Sequence, residues 1–321
     1  MEALSIKNMA EKIIILGSEG QVGTDLAAKL RSEYGDSNVL CTDIKPTDSS
    51  KTDLGPYQEL NIMDRNALKD VFSKHKPTMV YHLAAMLSAT AEQFPRKGWD
   101  LNMEGMFSVF DACLDHDVNR VFWPSSIAVF GPTTPKENTP QHCVMDPNTI
   151  YGISKLAGER FCDYYFNRYG LDVRSIRYPG LIGWKALPGG GTTDYAVDIF
   201  HKALQDNKYT CFLKSDTSLP MMYMDDAIKG TIDITEAPAE EIKIRSSYNI
   251  SGVSFDPETL ANAIEKEMPG FTIDYDIDHR QKIAESWPSS INDDEARSDW
   301  NWKPDFDLEA MVKEMLTRLS Q

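Results

Sequence analysis

A chain of 321 residues is longer than one hydrophobic core of the commonest size needs, so one large domain with a smaller lobe is expected. Its 41% apolar and 26% charged residues suit a folded globular protein, and no run approaches the ~18 consecutive apolar residues that suggest a membrane span. The formal net charge of -16 repels phosphate backbones, which argues against nucleic acid as a partner.

Taken in chain order, Ile13–Leu16 is an apolar run with the length of a buried strand. The turn Gly17-Ser18-Glu19-Gly20-Gln21-Val22-Gly23 follows, and then an amphipathic stretch through Leu30. Val39–Asp43 reads as a second strand and Gln58–Asn61 as a short third, with a polar surface loop over 45–56 between them. Asp64–His75 has helical spacing, with Ala67, Leu68, Val71 and Phe72 on one face. Met79–Leu83 is a fourth strand, Trp99–His116 a helix and Arg120–Trp123 a fifth strand. A long helix over Asn148–Tyr169 stops before Gly170, and Val173–Tyr178 is a sixth strand. Continuous apolar strands alternating with helices imply an α/β fold, a doubly wound parallel sheet covered on both faces. Beyond Pro179 the pattern becomes irregular. The expected division is a dinucleotide-binding domain over 11–180 and a smaller substrate lobe over 181–321, interleaved with late elements of the sheet.

The glycine turn lies between a strand and a helix. Without Cβ atoms its backbone can approach a pyrophosphate, and the helix N-terminus behind it offers N–H groups and a favourable dipole. Asp43 ends the second strand, twenty residues after Gly23. A carboxylate there can accept hydrogen bonds from the adenosine ribose and would repel a 2′-phosphate, which favours NAD over NADP.

Tyr151-Gly152-Ile153-Ser154-Lys155 puts a phenol and an ammonium four residues apart on one helix face. A free tyrosine, with a pKa of about 10, is a poor base at neutral pH, but a neighbouring cation favours its phenolate. Ser125-Ser126-Ile127-Ala128 follows the fifth strand, at the carboxyl edge of the sheet where ligands collect.

Other constellations are absent from the sequence. The five cysteines form no C-x-x-C pair and the six histidines no metal spacing, so no metal site is expected. His82 lies in an apolar strand and reads as a satisfied core residue. The first residues lack both a secretory apolar core and an Arg-rich presequence. A cytoplasmic location is therefore expected, with the mitochondrial matrix as the alternative if the N-terminus is processed.

The G-x-x-G-x-x-G spacing resembles that of short-chain dehydrogenases of the extended group, which contains the sugar-nucleotide epimerases. Leu83-Ala84-Ala85, Asn102 and Tyr178-Pro179-Gly180 support the resemblance. It implies that Gly17, Gly20, Gln21, Val22 and Gly23 hold the cofactor pyrophosphate, with Asp43 and Ile44 at the ribose. Asn61 and Ile62 would lie beside the adenine, although many relatives carry Asp where Asn61 stands. Leu83, Ala84, Ala85, Asn102, Tyr178 and Pro179 would line the cofactor. Tyr151 would be the general base, Lys155 the residue on the ribose, and Ser126, rather than Ser125, the hydroxyl that holds the substrate oxygen.

A narrower resemblance, to the short-chain type of L-threonine 3-dehydrogenase, runs over nearly the whole chain from Lys12. It is carried by Trp123-Pro124-Ser125-Ser126, Tyr178-Pro179-Gly180-Leu181-Ile182-Gly183-Trp184, Gly189-Gly190-Gly191-Thr192-Thr193-Asp194-Tyr195-Ala196, Ser286-Trp287-Pro288 and Trp300-Asn301-Trp302. It implies NAD-dependent oxidation of L-threonine at C3. Amides of Gly190 and Gly191 and hydroxyls of Thr192 and Thr193 could take the substrate carboxylate, Ser88 could face the substrate, and Trp287 could close the pocket. Lys136 is either an added positive charge or a solvated surface lysine. The resemblance also implies a homodimer through a four-helix bundle, with Phe107, Phe110, Phe161 and Tyr165 as candidates for that contact or, for some of them, for packing against the sheet. Two alternatives stand beside it. A nucleotide-sugar epimerase or dehydratase would need cations for a diphosphate, and no basic cluster in the second half clearly supplies them. An NAD-sensing protein without catalysis would often have lost the Tyr or the Lys, and this chain keeps both.

Overall fold

Four consecutive apolar residues can all be buried only where both faces of a strand are covered. That is what Ile13–Leu16 does as β1 in the computed structural model, where all four are 0% exposed. The structure describes residues 11–46, 55–187 and 191–321. In chain order β1 leads to α1 (Gln21–Tyr34), β2 (Val39–Asp43), β3 (Tyr57–Glu59), α2 (Arg65–His75), β4 (Met79–His82), α3 (Ser88–Gln93), α4 (Pro95–Asp115) and β5 (Arg120–Phe122). Then come β6 (Ser125–Ser126), α5 (Ile150–Tyr169), β7 (Val173–Arg174), β8 (Ile176–Tyr178) and β9 (Gly180–Ile182).

Six of these strands make one sheet in the order β3-β2-β1-β4-β5-β7, with every pairing parallel. The order reverses between β1 and β4, the switch point at which doubly wound sheets open a ligand crevice beyond the carboxyl ends of their strands. This is the expected Rossmann arrangement. Local signals fix several helix ends. Asp64 caps α2 by accepting from the amides of Asn66 and Ala67, and Pro95 occupies the first turn of α4, where its missing N–H costs nothing. The short α3 was not foreseen. Of the loop expected over 45–56, residues 47–54 lie outside the described residues.

The expected sixth strand, Val173–Tyr178, is two strands. β7 completes the parallel sheet beside β5, while β8 joins a separate sheet of order β12-β8-β6. Arg174 and Ser175 at the break make specific polar contacts. The Arg174 guanidinium, wholly buried, donates to the carbonyls of Ile234 and Thr235, and the Ser175 hydroxyl bonds that of Ser247 at 2.9 Å. The apolar run therefore reads as one strand although the backbone changes sheets within it.

The remaining elements are α6 (Tyr195–Asp206), β10 (Lys208–Cys211), β11 (Leu219–Tyr223), α7 (Met224–Glu236), β12 (Tyr248–Asn249), β13 (Val253–Phe255), α8 (Pro257–Glu267), β14 (Thr272–Tyr275), α9 (Arg280–Ala284), α10 (Asp294–Trp300) and α11 (Leu308–Leu319). The chain divides into two compact units. The first holds the described residues up to Ser125 with Ser154–Ile176 and Thr231–Ser247. The second holds Ser126–Ile153, Arg177–Gly230 and Tyr248–Gln321. The first is built on the six-stranded sheet, with a core that includes Leu68, Phe72, Val80, Phe110 and Val121. The second contains the sheets β13-β11-β9 and β10-β14 around Phe200, Leu219, Leu260 and Met315. No described helix is long and apolar enough to cross a membrane.

Candidate active site

In the first unit the glycine loop is pressed onto the end of β4. Gly17 has φ +90°, and a Cβ there would lie 2.7 Å from the Ala84 amide nitrogen, so Leu83-Ala84-Ala85 backs directly onto the loop. At Gly20, by contrast, a Cβ would meet only the Gly17 carbonyl at 3.4 Å, so its outer side is open. Gly20 caps α1, and Gln21, Val22 and Gly23 form its first turn. No side chain caps this helix end and no acidic residue stands in its first turn, so its positive pole is not neutralised locally. Asp43, at the end of β2, accepts from the Glu19 amide at 3.0 Å and the Lys45 amide at 3.1 Å. Its carboxylate is thereby held beside the loop, with the exposed Ile44 next to it. An open glycine turn, an uncapped helix start and a strand-end carboxylate fit a dinucleotide.

Asn61 is exposed, and its side-chain carbonyl accepts from the Met63 amide at 3.0 Å, shaping the turn into α2; Ile62 is buried in the core. Asn102 is buried in α4. It accepts from the Met86 amide at 2.8 Å and donates to the Met86 carbonyl and the Ser154 hydroxyl. It thus clamps the segment that carries Ala84 and Ala85, a positioning contact that the sequence did not show. Ser88, half-buried, opens α3 just after that segment.

The second unit brings Ser126 to Tyr151. Ser126 accepts from the Ala128 amide at 3.2 Å, which holds a single 3-10 turn over Ile127–Val129. Its hydroxyl is also hydrogen-bonded to that of Tyr151, in the first turn of α5. Burial pushes the Tyr151 phenol up to about 12, and the Ser126 bond acts in the opposite direction.

Lys155 stands one turn further along α5 and is buried in the first unit. Its ammonium donates to the Pro124 carbonyl at 2.6 Å and lies 4.4 Å from the centre of the Trp123 ring, a cation–π contact. Burial draws Lys155 down to about 8, against the opposing influence of Cys162 and Glu159. His82, at the end of β4, is buried, and burial together with the Lys155 charge holds it at about 3, so it is neutral. It is not the satisfied core histidine expected, because Nδ1 has no hydrogen-bond partner among the described residues.

The other residues named from sequence are distributed over the second unit. Tyr178 and Pro179 are buried where β8 passes into β9. The Gly191 amide donates to Asp194 at 2.7 Å, so it is engaged within its own loop. Thr192 is buried, and Thr193 packs against Gly180. Gly190 lies outside the described residues. Lys136 is neither a surface lysine nor an open charge. Its ammonium donates to the carbonyls of Ser286 at 2.6 Å and Trp287 at 3.4 Å, tying down the segment that bears the partly buried Trp287. Among the described residues no group of three His, Cys, Asp or Glu side chains gathers as metal ligands would.

A parallel sheet of this order, a glycine loop at its switch point and a Ser–Tyr pair with a lysine one turn on define a class of nucleotide-dependent oxidoreductases. The chain belongs to the NAD-dependent epimerase/dehydratase family, whose model matches residues 13–251, and its cofactor is NAD. A protein of Staphylococcus aureus strain USA300, named as an uncharacterized epimerase/dehydratase, is 46% identical over 313 residues, 97% of each chain. The structure of a GalE-like L-threonine dehydrogenase from Cupriavidus necator, in its holo form, superposes with a TM-score of 0.94 at 52% identity, covering 96% of this chain and 99% of that one. An L-threonine 3-dehydrogenase from a metagenome, described as monomeric, gives 0.91 at 44% identity, with 96% and 98% covered.

Proposed function

We propose that this protein is an NAD-dependent L-threonine 3-dehydrogenase, converting L-threonine to L-2-amino-3-oxobutanoate. The observation that carries the reading is the chain-long likeness to the Cupriavidus threonine dehydrogenase, at 52% identity. When bound, NAD supplies the hydride acceptor and a positive ring. Gly17, Gly20, Gln21, Val22 and Gly23 hold its pyrophosphate, and Asp43 takes the ribose hydroxyls. Ile44, Asn61 and Ile62 flank the adenosine, and Leu83, Ala84, Ala85, Tyr178 and Pro179 line the rest. Asn102 acts through its clamp on Met86.

Tyr151 takes the proton from the C3 hydroxyl as the C3 hydrogen leaves as hydride. Ser126 donates to the same oxygen and orients it. Burial alone opposes ionisation of Tyr151, so the phenolate has to be favoured by positive charge, and Lys155 supplies this from within the protein while also holding the nicotinamide ribose. Thr192, Thr193 and Trp287 receive the amino acid, whereas the Gly191 amide is given to Asp194.

The test is a screen for NADH formation with L-threonine, L-serine, 3-hydroxybutyrate and a UDP-sugar, each with NAD and with NADP. Turnover is expected with threonine and NAD, and far less with NADP because the Asp43 carboxylate repels a 2′-phosphate. Conversion of the UDP-sugar with no response to threonine would instead make the chain a sugar-nucleotide epimerase or dehydratase.

We also infer a homodimer through α4 and α5, with a narrower surface than the sequence indicated. Phe110 and Tyr165 are buried within the first unit, and Tyr165 donates to Asp111 at 3.0 Å. Phe107 and Phe161, in edge-to-face contact at 4.7 Å, are half-buried, while Tyr164 and Tyr169 are about half exposed. An aromatic strip of this kind suits a self-complementary twofold contact. Light scattering at micromolar concentration is expected to give twice the 36.2 kDa chain mass, and a fully active species of the single mass would defeat the inference.

A further inference from the structure

Behind the Tyr151–Lys155 pair, α5 carries a third polar residue in the same register. Glu159 stands one turn beyond Lys155 and two beyond Tyr151. It is 0% exposed. A carboxylate is seldom buried completely without partners, and here the Ser125 hydroxyl donates to Oε1 at 2.6 Å, a length typical of a charge-assisted bond. Ser125 is the chain neighbour of Ser126 in β6, and extended backbone turns adjacent side chains to opposite sides. One serine meets Glu159 and the next meets Tyr151.

We propose that Glu159 is a positioning residue of the catalytic centre: its buried side chain stands one turn from the Lys155 ammonium on α5 and, through Ser125, fixes the strand that presents Ser126. The proposal rests on the reading of Tyr151 as the base. Groups bearing on Lys155 include His82 at the end of β4, Trp123 and Pro124 after β5, and Cys162 and Glu159 on α5. His82 is neutral. Burial holds the Cys162 thiol well above its ordinary range, so it too is neutral. Trp123 and Pro124 offer a quadrupole and a dipole. Glu159 brings the carboxyl group of this set, and it acts against the loss of the Lys155 proton that burial promotes.

The decisive variant is Glu159→Gln, which keeps the volume and can still accept from Ser125. Without the carboxylate Lys155 gives up its proton more readily, and Tyr151 loses the cation that favours its phenolate. The rising limb of kcat/KM against pH should therefore move up by about one unit, with about a tenfold loss at neutral pH that is recovered in alkali. Ser125→Ala leaves the charge in place and should lower kcat without moving that limb. A second readout does not depend on the substrate: phenolate absorbance is titrated with NAD present, and the Tyr151→Phe trace is subtracted. Its midpoint should rise in Glu159→Gln. If threonine is not a substrate, this titration still decides the role of Glu159. Curves for Glu159→Gln that superimpose on the parent would overturn the proposal, as would an equal shift in Ser125→Ala. Should Glu159→Gln not fold, Glu159→Asp keeps the charge at shorter reach and should hold the midpoint; a raised midpoint there would also overturn it.

Discussion

Replacing Tyr151 by Phe is expected to abolish threonine-dependent NADH formation while leaving NAD binding close to that of the parent. The phenyl ring keeps the packing at the start of α5, so the change is confined to one hydroxyl and its hydrogen bond with Ser126. Loss of a general acid–base group typically costs ~10²–10⁴-fold in rate. The glycine loop and Asp43, which hold the other end of the cofactor, are untouched. The pH dependence has a definite sign. Threonine oxidation needs the deprotonated phenol, whose pKa burial raises to about 12, so the parent rate should climb as pH rises and fall away in acid. Reduction of the keto product needs the protonated phenol and should show the opposite trend. The measurements are kcat from NADH absorbance across pH and NADH affinity from fluorescence. A variant within a factor of about two of the parent would remove Tyr151 from the mechanism.

Where hydrophobic pattern and chemistry coincide, the sequence was readable. β1, β2 and β4 are short, largely apolar runs because both of their faces are covered, and each lies within about a residue of its expected place. The Tyr151–Lys155 spacing and the glycine turn could be read because helix register and the lack of a Cβ are local properties. What escaped depended on contacts distant in the chain. The break at Ser175 follows from the partners of Arg174 and Ser175, 60 and 72 residues away. Lys136 was ambiguous because its carbonyl partners lie about 150 residues further on. Helical periodicity shows which residues share a face but not which face meets the core, so it left Phe110 and Tyr165 open between the outer surface and the sheet. Glu159 did have a local signal, the i, i+4, i+8 series with Tyr151 and Lys155, but an acidic residue on a helix is usually solvated, and its burial came into view only with Ser125 against it.

The tolerance of the site can be measured at Gly152, between Tyr151 and the rest of α5. A Cβ on Gly152 would lie 2.1 Å from the Ala128 carbonyl oxygen and 2.8 Å from Pro147 Cβ. Neither neighbour is the free end of a flexible side chain, so Gly152→Ala must push α5 away from the turn over Ile127–Val129. That turn is held by Ser126, whose hydroxyl accepts from the Ala128 amide and bonds Tyr151, so the displacement falls on the pair that would orient and deprotonate the substrate oxygen. A shift on the order of 1 Å in a reacting geometry can cost ~10²-fold in rate. Overpacking of this kind also lowers stability by roughly 1–3 kcal/mol. The expected result is therefore a folded protein with a lower melting temperature and a kcat down by about two orders of magnitude, with NADH affinity changed far less than kcat because the glycine loop and Asp43 hold the other end of the cofactor. Melting curves, NADH fluorescence titration and kcat together check it. Parent-like kcat in a stably folded Gly152→Ala protein would mean that the close contact of α5 with the Ser126 turn is not required for the chemistry.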